Sequence, residues 1–325
     1  MQKFTDNAAT QHAHSASPIR RYHDCALHHS QRRSRTTCNG ASRPSHVPPT
    51  ALLQHPTEKE IYLHLIILYI EMKRFFLLAA LAIGMSAAGF ATDKAKVVAH
   101  RGHWKPAGSA QNSIRSLVKA DSIGCWGSEF DVWRTADGKL VVNHDGVHDG
   151  VVIQTSNAKE VTALKLSNGE KLPLLKDYLN TFRKHPNLKV VCELKSHKDA
   201  EAERMAVHEI LKMMKKKGLE KRVVYISFSL PAVKEFIKYA PKGTEVYYLN
   251  GELNPKELKA IGCAGPDYPL YILKGNPSWI KECHDLGMKV NIWTVDKKED
   301  LQWCIDNGAD FITTNNPEEL QQMLK

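Results

Sequence analysis

The stretch that decides the fold is SEFDVWRTADGKLVVNHDG, residues 128–146. Its first half has the aromatic and β-branched residues of a strand, yet Glu129 and Asp131 stand two positions apart and therefore project from one face. A second apolar run, LVVNH, follows after the segment RTADGK, whose Asp137-Gly138 pair is typical of a tight turn. A segment this short cannot make a parallel crossover, so the two runs are predicted to form an antiparallel hairpin.

Short apolar runs alternate with amphipathic segments along the rest of the chain, which is the arrangement of a parallel α/β fold. Omitting the second hairpin run leaves eight strand candidates, the number that a closed barrel needs. We therefore predict an α/β protein, a (β/α)8 TIM barrel with a short β-hairpin extension after the second strand. The nine candidate runs, hairpin included, are 96–100, 127–133, 139–144, 188–194, 222–228, 244–249, 268–273, 289–295 and 310–314.

Helix boundaries have their own signals in the predicted barrel. Ser113 is placed to cap a helix that begins at Ile114, and Gly218 follows three lysines at a predicted helix end. Asp296, with Glu299 three residues later, is predicted to form a capping box at the start of another helix.

The chain is predicted to have three parts. Residues 1–71 are largely polar and rich in His, Ser and Arg, and we predict a disordered upstream extension, with a misassigned start as its origin. Residues 72–91, MKRFFLLAALAIGMSAAGFA, have the basic, apolar and small-residue layout of a signal peptide. Residues 92–325 are the barrel domain. The prediction is an exported protein, periplasmic or secreted.

A membrane anchor is the alternative for this region, because the apolar run IYLHLIILYI occupies residues 61–70. Glu71, Lys73 and Arg74 separate this run from the next one, and each run alone is short for a membrane span. We therefore predict no stable membrane insertion once the signal peptide has been removed.

Charge argues against a nucleic-acid partner. The net charge is +10, but residues 1–91 hold ten of the 45 basic residues and five of the 35 acidic ones, which is half of the excess. In the predicted barrel, lysine and arginine are scattered among glutamate and aspartate rather than clustered. The five cysteines there follow no zinc spacing and no regular disulfide pattern, and most are expected to be buried, with a single disulfide as the alternative.

Polar residues recur where predicted barrel strands end. The C-terminal ends of the strands form the face on which barrels of this class carry their active sites. The side chains expected to meet there are His100, Arg101, Glu129, Asp131, His144, Asp145, Glu193, Lys195 and Trp293.

This set of side chains predicts a metal site. Carboxylates held together raise one another's pKa unless a cation lies between them. Glu129, Asp131 and Glu193 offer only oxygen ligands, which favours one divalent metal ion, Ca²⁺ or Mg²⁺, over zinc. A hard metal beside Arg101 and Lys195 suits a phosphate ester, and the two histidines suit general acid–base catalysis.

Five motifs, in their order along the chain, resemble those of the glycerophosphodiester phosphodiesterase family. The members of this family are TIM-barrel phosphodiesterases similar to phosphatidylinositol phospholipase C. The motifs are HRG (100–102), EFDV (129–132), HD (144–145), ELK (193–195) and WTV (293–295). The resemblance extends through essentially the whole predicted barrel. It implies hydrolysis of glycerophosphodiesters to sn-glycerol 3-phosphate and an alcohol.

The resemblance also implies a role for each matching residue. In this family the glycerol 2-hydroxyl is thought to attack phosphorus first, giving a cyclic phosphate that water then opens. The implied roles are acid and base for His100 and His144, metal ligands for Glu129, Asp131 and Glu193, and phosphate contacts for Arg101 and Lys195. Trp293 is a candidate to pack on the glycerol group.

Several alternatives stay open at this point. A phospholipase C-like or glycerophosphoinositol-specific enzyme, and a non-catalytic exported binding protein, fit the same barrel. His148-Asp149 repeats the His144-Asp145 pair, and Arg101 could contact Asp145 instead of a phosphate. The chain also departs from the family pattern, with Gln111 where an acid is usual and Asn315 where Asp is common.

Overall fold

The structure is a computed structural model that describes residues 57–86 and 94–325. The chain divides into two compact units, Met1–Met85 and Ser86–Lys325. The strands of the described residues all lie in the second unit: β1 Lys96–Ala99, β2 Gly127–Arg134, β3 Leu140–Val142, β4 Val147–His148, β5 Val151–Val152, β6 Lys189–Leu194, β7 Val223–Ser227, β8 Glu245–Tyr248, β9 Gly265–Pro269, β10 Asn291–Trp293 and β11 Phe311–Thr314.

Helices follow the barrel strands in a regular alternation, and a short 3-10 turn spans Ile153–Thr155. The α-helices of the described residues are α1 Glu58–Ser86, α2 Ile114–Ser122, α3 Ala158–Val161, α4 Leu175–Phe182, α5 Ala200–Lys217, α6 Leu230–Tyr239, α7 Pro255–Ile261, α8 Leu270–Gly275, α9 Ser278–Asp285, α10 Lys298–Asp306 and α11 Pro317–Met323.

Eight parallel strands of residues 94–325 close into a barrel, in the order β1-β2-β6-β7-β8-β9-β10-β11. Lys96 of β1 pairs with Phe311 of β11, so the first and last strands are neighbours. The strand β3 lies outside this ring and pairs antiparallel with β2, Val142 opposite Val132. The predicted (β/α)8 barrel and its hairpin are confirmed.

Side chains of β2 alternate between two environments. Phe130 and Val132 point outward and join the large core between the barrel and its helices. Glu129 and Asp131, one position out of step with them, project into the barrel. The side chains of the two acids therefore lie on the face of β2 that points away from the helices.

One strand lies a few residues earlier in the chain than predicted. The run 268–273 was predicted as a strand, but β9 is Gly265–Pro269, and the apolar residues after Pro269 begin α8.

The close approach of a neighbouring segment explains why Gly265 stands in this strand. A Cβ at this position would lie 1.8 Å from the Lys289 carbonyl oxygen.

The predicted capping box at Asp296 and Glu299 was wrong. Helix α10 begins after Lys297, whose side chain makes no cap hydrogen bond. Asp296 instead accepts hydrogen bonds from the backbone N–H of Asn315, at 2.8 Å, and from its side-chain amide, at 2.7 Å. The predicted caps at Ser113 and Gly218 are confirmed, since Ser113 accepts from Ser116 N–H and Gly218 is left-handed at the end of α5.

The helix α1, except for its last residue Ser86, lies in the first unit and includes part of the predicted upstream extension. Residues 58–71 are helical, and the apolar side chains of the run 61–70 are exposed. No helix among the described residues combines the length and apolar character needed to cross a membrane. The predicted signal peptide is helical through Ser86, and residues 1–56 and 87–91 lie outside the described residues.

Candidate active site

Three buried carboxyl groups meet at the end of two neighbouring strands. Glu129 and Asp131 come from β2 and Glu193 comes from β6, where Asp131 and Glu193 are register partners. One oxygen from each side chain lies within 4.8 Å of the others. The sequence prediction brought these acids together, and the structure places them in one cluster.

The electrostatics of this cluster fit a divalent cation. Burial, reinforced by the neighbouring carboxylates, raises the pKa of Glu129 well above its usual value and that of Glu193 to about 8. Glu129 Oε1 is buried and has no hydrogen-bond partner in the described part of the chain. An all-oxygen set with an orphaned ligand atom suits a hard metal such as Ca²⁺ or Mg²⁺.

Two cationic side chains border the acids. Lys195 Nζ lies 2.8 Å from Glu193 Oε1 and 3.3 Å from Asp131 Oδ1. Arg101 Nε lies 3.9 Å from Asp131 Oδ2. Burial alone would raise the pKa of Asp131, but Lys195 and other neighbouring groups outweigh burial and lower it. Lys195 and Arg101 both reach the cavity, where they can contact an anionic group.

The loop that presents Arg101 has an unusual backbone. Arg101 itself has φ of 56°, and its backbone N–H donates to Glu129 Oε2 at 2.8 Å. Gly102 follows with φ of 76°, and a Cβ there would lie 2.4 Å from Ser116 Oγ. The HRG triplet therefore needs its glycine, because the turn is packed against α2 and bends in the left-handed region.

Gln111 and Asn112 support this loop from the next segment. Arg101 donates from its guanidinium to Gln111 Oε1 at 2.6 Å. Asn112, buried and left-handed with φ of 59°, donates to Asp131 Oδ2 at 2.8 Å and accepts from Asp131 N–H at 3.2 Å. The neutral residue at 111 thus contacts the arginine, while Asn112 contacts the acid cluster.

His100 has a defined ring orientation. Its Nδ1 lies 2.9 Å from Asn315 Oδ1, which also accepts from Trp104 Nε1 at 2.9 Å. Because Asn315 Nδ2 donates to Asp296, its oxygen must face His100, and His100 Nδ1 must be the donor. Burial lowers the pKa of His100 to about 4, so the ring is neutral near pH 7 with an unprotonated Nε2.

His144 reaches the same cavity from the hairpin side. Its Nδ1 lies 2.8 Å from Asp145 Oδ1, and Trp133 Nε1 donates to its carbonyl oxygen at 3.2 Å. Burial lowers the pKa of His144, and Asp131 opposes the shift. Asp145 thus contacts His144, the residue beside it, while Arg101 contacts Gln111 and Asp131.

The alternative histidine lies elsewhere. His148 belongs to β4, and its Nε2 lies 3.0 Å from the carbonyl oxygen of Lys165. It does not border the cavity that His100 and His144 share.

The cavity itself has a volume of about 90 Å³, and it is lined by seven of the eight residues for which the sequence predicts a role in binding or catalysis. The eighth, Asp131, lies behind them in contact with Asn112. Trp293 packs edge-to-face on Phe228, with ring centroids 5.4 Å apart, and donates from Nε1 to the Asp267 carbonyl oxygen at 2.8 Å.

Sequence reasoning missed three contributors to the site. Asn315 was noted only as a departure from the family pattern, and Asp296 was taken for a helix cap. Asp267 was overlooked because it is a single acid, without the second acid two positions away that identified Glu129 and Asp131.

Comparison with known proteins agrees with this geometry. Residues 100–319 match the Glycerophosphoryl diester phosphodiesterase family. A glycerophosphodiester phosphodiesterase from Caldanaerobacter subterraneus is 30% identical over 71% of this chain and 98% of its own length. The solved structure of a glycerophosphodiester phosphodiesterase from Parabacteroides distasonis is 52% identical and covers 72% of this chain and 98% of its own, with a TM-score of 0.71.

A more distant structure agrees in fold alone. A phosphodiesterase from Oleispira antarctica, solved with the product sn-glycerol-3-phosphate, is 20% identical, with a TM-score of 0.62 over 70% of this chain and 96% of its own. The family match spans most of the barrel, and the predicted relationship is confirmed. The chain is an enzyme that belongs to the glycerophosphodiester phosphodiesterase family.

Proposed function

We propose that the protein hydrolyses glycerophosphodiesters to sn-glycerol 3-phosphate and an alcohol, at a site that holds one Ca²⁺ or Mg²⁺ ion. The observation that carries the proposal is the buried cluster of Glu129, Asp131 and Glu193, which opens on the cavity that His100 and His144 share. A set of acids without a metal would be costly to bury, whereas a set that binds a metal would not.

The metal, when bound, would neutralise charge on the phosphoryl oxygens and bring the substrate to the three carboxylates. Lys195 and Arg101 line the same cavity and would bind the remaining phosphate charge. Lys195 and Arg101 would thereby position the phosphate, and with it the hydroxyl that attacks phosphorus.

The histidines would then divide the proton transfers between them. His100, with its free Nε2, accepts the proton of the glycerol 2-hydroxyl as that oxygen attacks phosphorus. His144, nearer to solvent, acts in its protonated form, which Asp131 and Asp145 favour, and gives a proton to the alcohol oxygen as the bond of that oxygen to phosphorus breaks. In the second half, water attacks the cyclic phosphate, His144 takes its proton, and His100 returns its own to the 2-oxygen.

The test of this function is a substrate panel. Purified protein with Ca²⁺ or Mg²⁺ is expected to release sn-glycerol 3-phosphate from glycerophosphocholine and glycerophosphoethanolamine. Glycerophosphoinositol and phosphatidylinositol in the same panel separate this function from an inositol-specific or phospholipase C-like one. Turnover of phosphatidylinositol alone, with the glycerophosphodiesters untouched, would rule the proposed substrate class out.

The orientation of His100 is expected to depend on Asn315. Asn315→Leu removes the oxygen that accepts from His100 Nδ1, at 2.9 Å, so either ring nitrogen can then carry the proton. We expect kcat/KM to fall about tenfold, the equivalent of one buried hydrogen bond. The ¹⁵N shifts of the His100 ring should show loss of the Nδ1–H tautomer.

A matched control is available for this prediction. Trp104→Phe removes the second donor to Asn315 Oδ1 and leaves the His100 contact in place, so kcat/KM should change little. A normal rate and an unaltered tautomer in Asn315→Leu would contradict the assignment.

We also propose that the chain is exported and cleaved after about Ala91, giving a periplasmic or secreted barrel that starts near residue 92. Lys73 and Arg74 precede an apolar segment that ends in small residues, which supports this processing. N-terminal sequencing of the protein recovered outside the cytoplasm of an expressing bacterium tests the proposal. A mature protein that still begins before Met72 would overturn it.

A further inference from the structure

Asp267 is a buried acid for which the proposed proton transfers have no use. It lies on β9, where its register partner is Asn291 of β10, and it is 2% exposed. Its Oδ1 has no hydrogen-bond partner within residues 94–325. A carboxyl group buried in this way costs stability, so its presence calls for a reason.

The position of Asp267 is the floor of the active-site cavity. It lines this cavity together with Glu193 and Lys195, and it also lines a small void of about 10 Å³ that reaches the apolar barrel interior near Val98. The acid therefore lies at the boundary between the polar site and the apolar barrel interior.

The nearby polar groups leave only Oδ1 without a partner, because Asn291 hydrogen-bonds the Asp267 carboxyl group without pairing this oxygen. Asn291 Nδ2 donates to Thr313 Oγ1 at 3.0 Å, and Trp293 Nε1 donates to the backbone oxygen of Asp267 rather than to its side chain. Trp293 is thereby fixed beside the acid, while the carboxyl oxygen Oδ1 stays available for a hydrogen-bond donor that enters the cavity.

The charges of the cavity limit what that donor can be. Lys195, Arg101 and the proposed metal site attract the phosphate to the rim, and a carboxyl group at the floor would repel it. The group at the floor must therefore be uncharged, small enough for a cavity of about 90 Å³, and a hydrogen-bond donor. Glycerol fits these conditions and is common to every substrate of the class, whereas the alcohol varies.

We propose that Asp267 binds the terminal hydroxyl of the glycerol group, with Trp293 packed against its carbon chain. The inference rests on the proposed function and adds to it the residue that selects glycerol. The 2-hydroxyl must stay near His100 to attack phosphorus, so the terminal hydroxyl is the one left to reach the floor. A substrate that lacks this hydroxyl leaves Asp267 Oδ1 buried and unpaired, and should be rejected.

The experiment pairs two substrates with two variants. Glycerophosphocholine is compared with its analogue that carries 2-hydroxypropyl in place of glycerol and so lacks only the terminal hydroxyl. The wild-type enzyme is expected to prefer the glycerol substrate by at least about 100-fold in kcat/KM. Asp267→Leu should reduce this preference about 10- to 100-fold, while Asp267→Asn, which keeps an acceptor oxygen, should retain most of it.

Thermal stability separates binding from a structural role. Because Asp267→Leu removes a buried carboxyl group whose Oδ1 has no partner, its Tm should equal or exceed that of the wild type. A lower Tm, with both substrates slowed equally in both variants, would mean that the acid only maintains the barrel. As a matched control, Asp121→Asn alters an acid that pairs with His185 outside the cavity, and should leave the preference unchanged.

Two further results would overturn the inference. One is an unchanged preference in Asp267→Leu. The other is a change in that variant's selectivity between glycerophosphocholine and glycerophosphoglycerol, because this would mean that Asp267 faces the alcohol group instead. A wild-type enzyme that hydrolyses neither glycerol substrate would defeat the proposed function itself, a result distinct from these.

Discussion

His144→Ala is expected to lower kcat/KM for glycerophosphocholine by about 100- to 10,000-fold, the range for loss of a general acid–base group. The reason is the position of the ring, which lines the cavity and is held by Asp145 at 2.8 Å. Without this imidazole, the departing alcohol oxygen must take its proton from water. Steady-state kinetics at a fixed metal concentration measure the loss.

The chain contains its own control for this substitution. His148 also precedes an aspartate, but it contacts the Lys165 carbonyl and lies outside the cavity. We expect His148→Ala to keep a rate within about twofold of the wild type, because this ring does not border the cavity and its loss should change the stability little. A slow His148→Ala enzyme beside a normal His144→Ala enzyme would reverse the assignment.

Removal of the metal is expected to have an effect at least as large. Dialysis against a chelator should abolish hydrolysis, and Ca²⁺ or Mg²⁺ should restore it. Without a cation between them, the three carboxylates and the phosphate of the substrate repel each other. Comparing the restored rates identifies which of the two ions the site prefers. Undiminished activity in the chelated protein would refute the metal assignment.

Metal binding can also be measured apart from activity. An ion that binds only the folded chain stabilises it, by about 2.7 kcal/mol at 100 times its Kd. The metal-free wild type should therefore gain Tm when Ca²⁺ or Mg²⁺ is added, while Glu193→Gln, which lacks one of the three acids, should gain less. Equal gains in the two proteins would place the ion elsewhere.

The parts of the fold that the sequence predicted well are those specified by local rules. The alternation of Phe130 and Val132 with Glu129 and Asp131 follows from the two-residue period of a strand. The short Asp137-Gly138 connection excluded a parallel crossover, which separated β3 from the barrel. Both results depend on residues close together in the chain.

The errors arose where distant contacts override local preference. The strand β9 contains Pro266, Asp267 and Pro269, residues that strands usually avoid, and it is held by its neighbours β8 and β10. Asp296 has the spacing of a capping residue, but Asn315, 19 positions away, donates hydrogen bonds to both of its carboxylate oxygens. No local pattern could reveal that partner, because only closure of the barrel brings the two residues together.

The partnership of β1 with β11 places the two ends of the domain's sequence at one seam, and the imidazole of His100 takes its orientation from Asn315 on the far side of that seam. A polypeptide still being synthesised, or one that ends before Phe311, lacks both the strand with which β1 pairs and the Asn315 amide that orients the His100 ring. We therefore expect an incomplete chain to lack hydrolytic activity until the residues of β11 and Asn315 have been added.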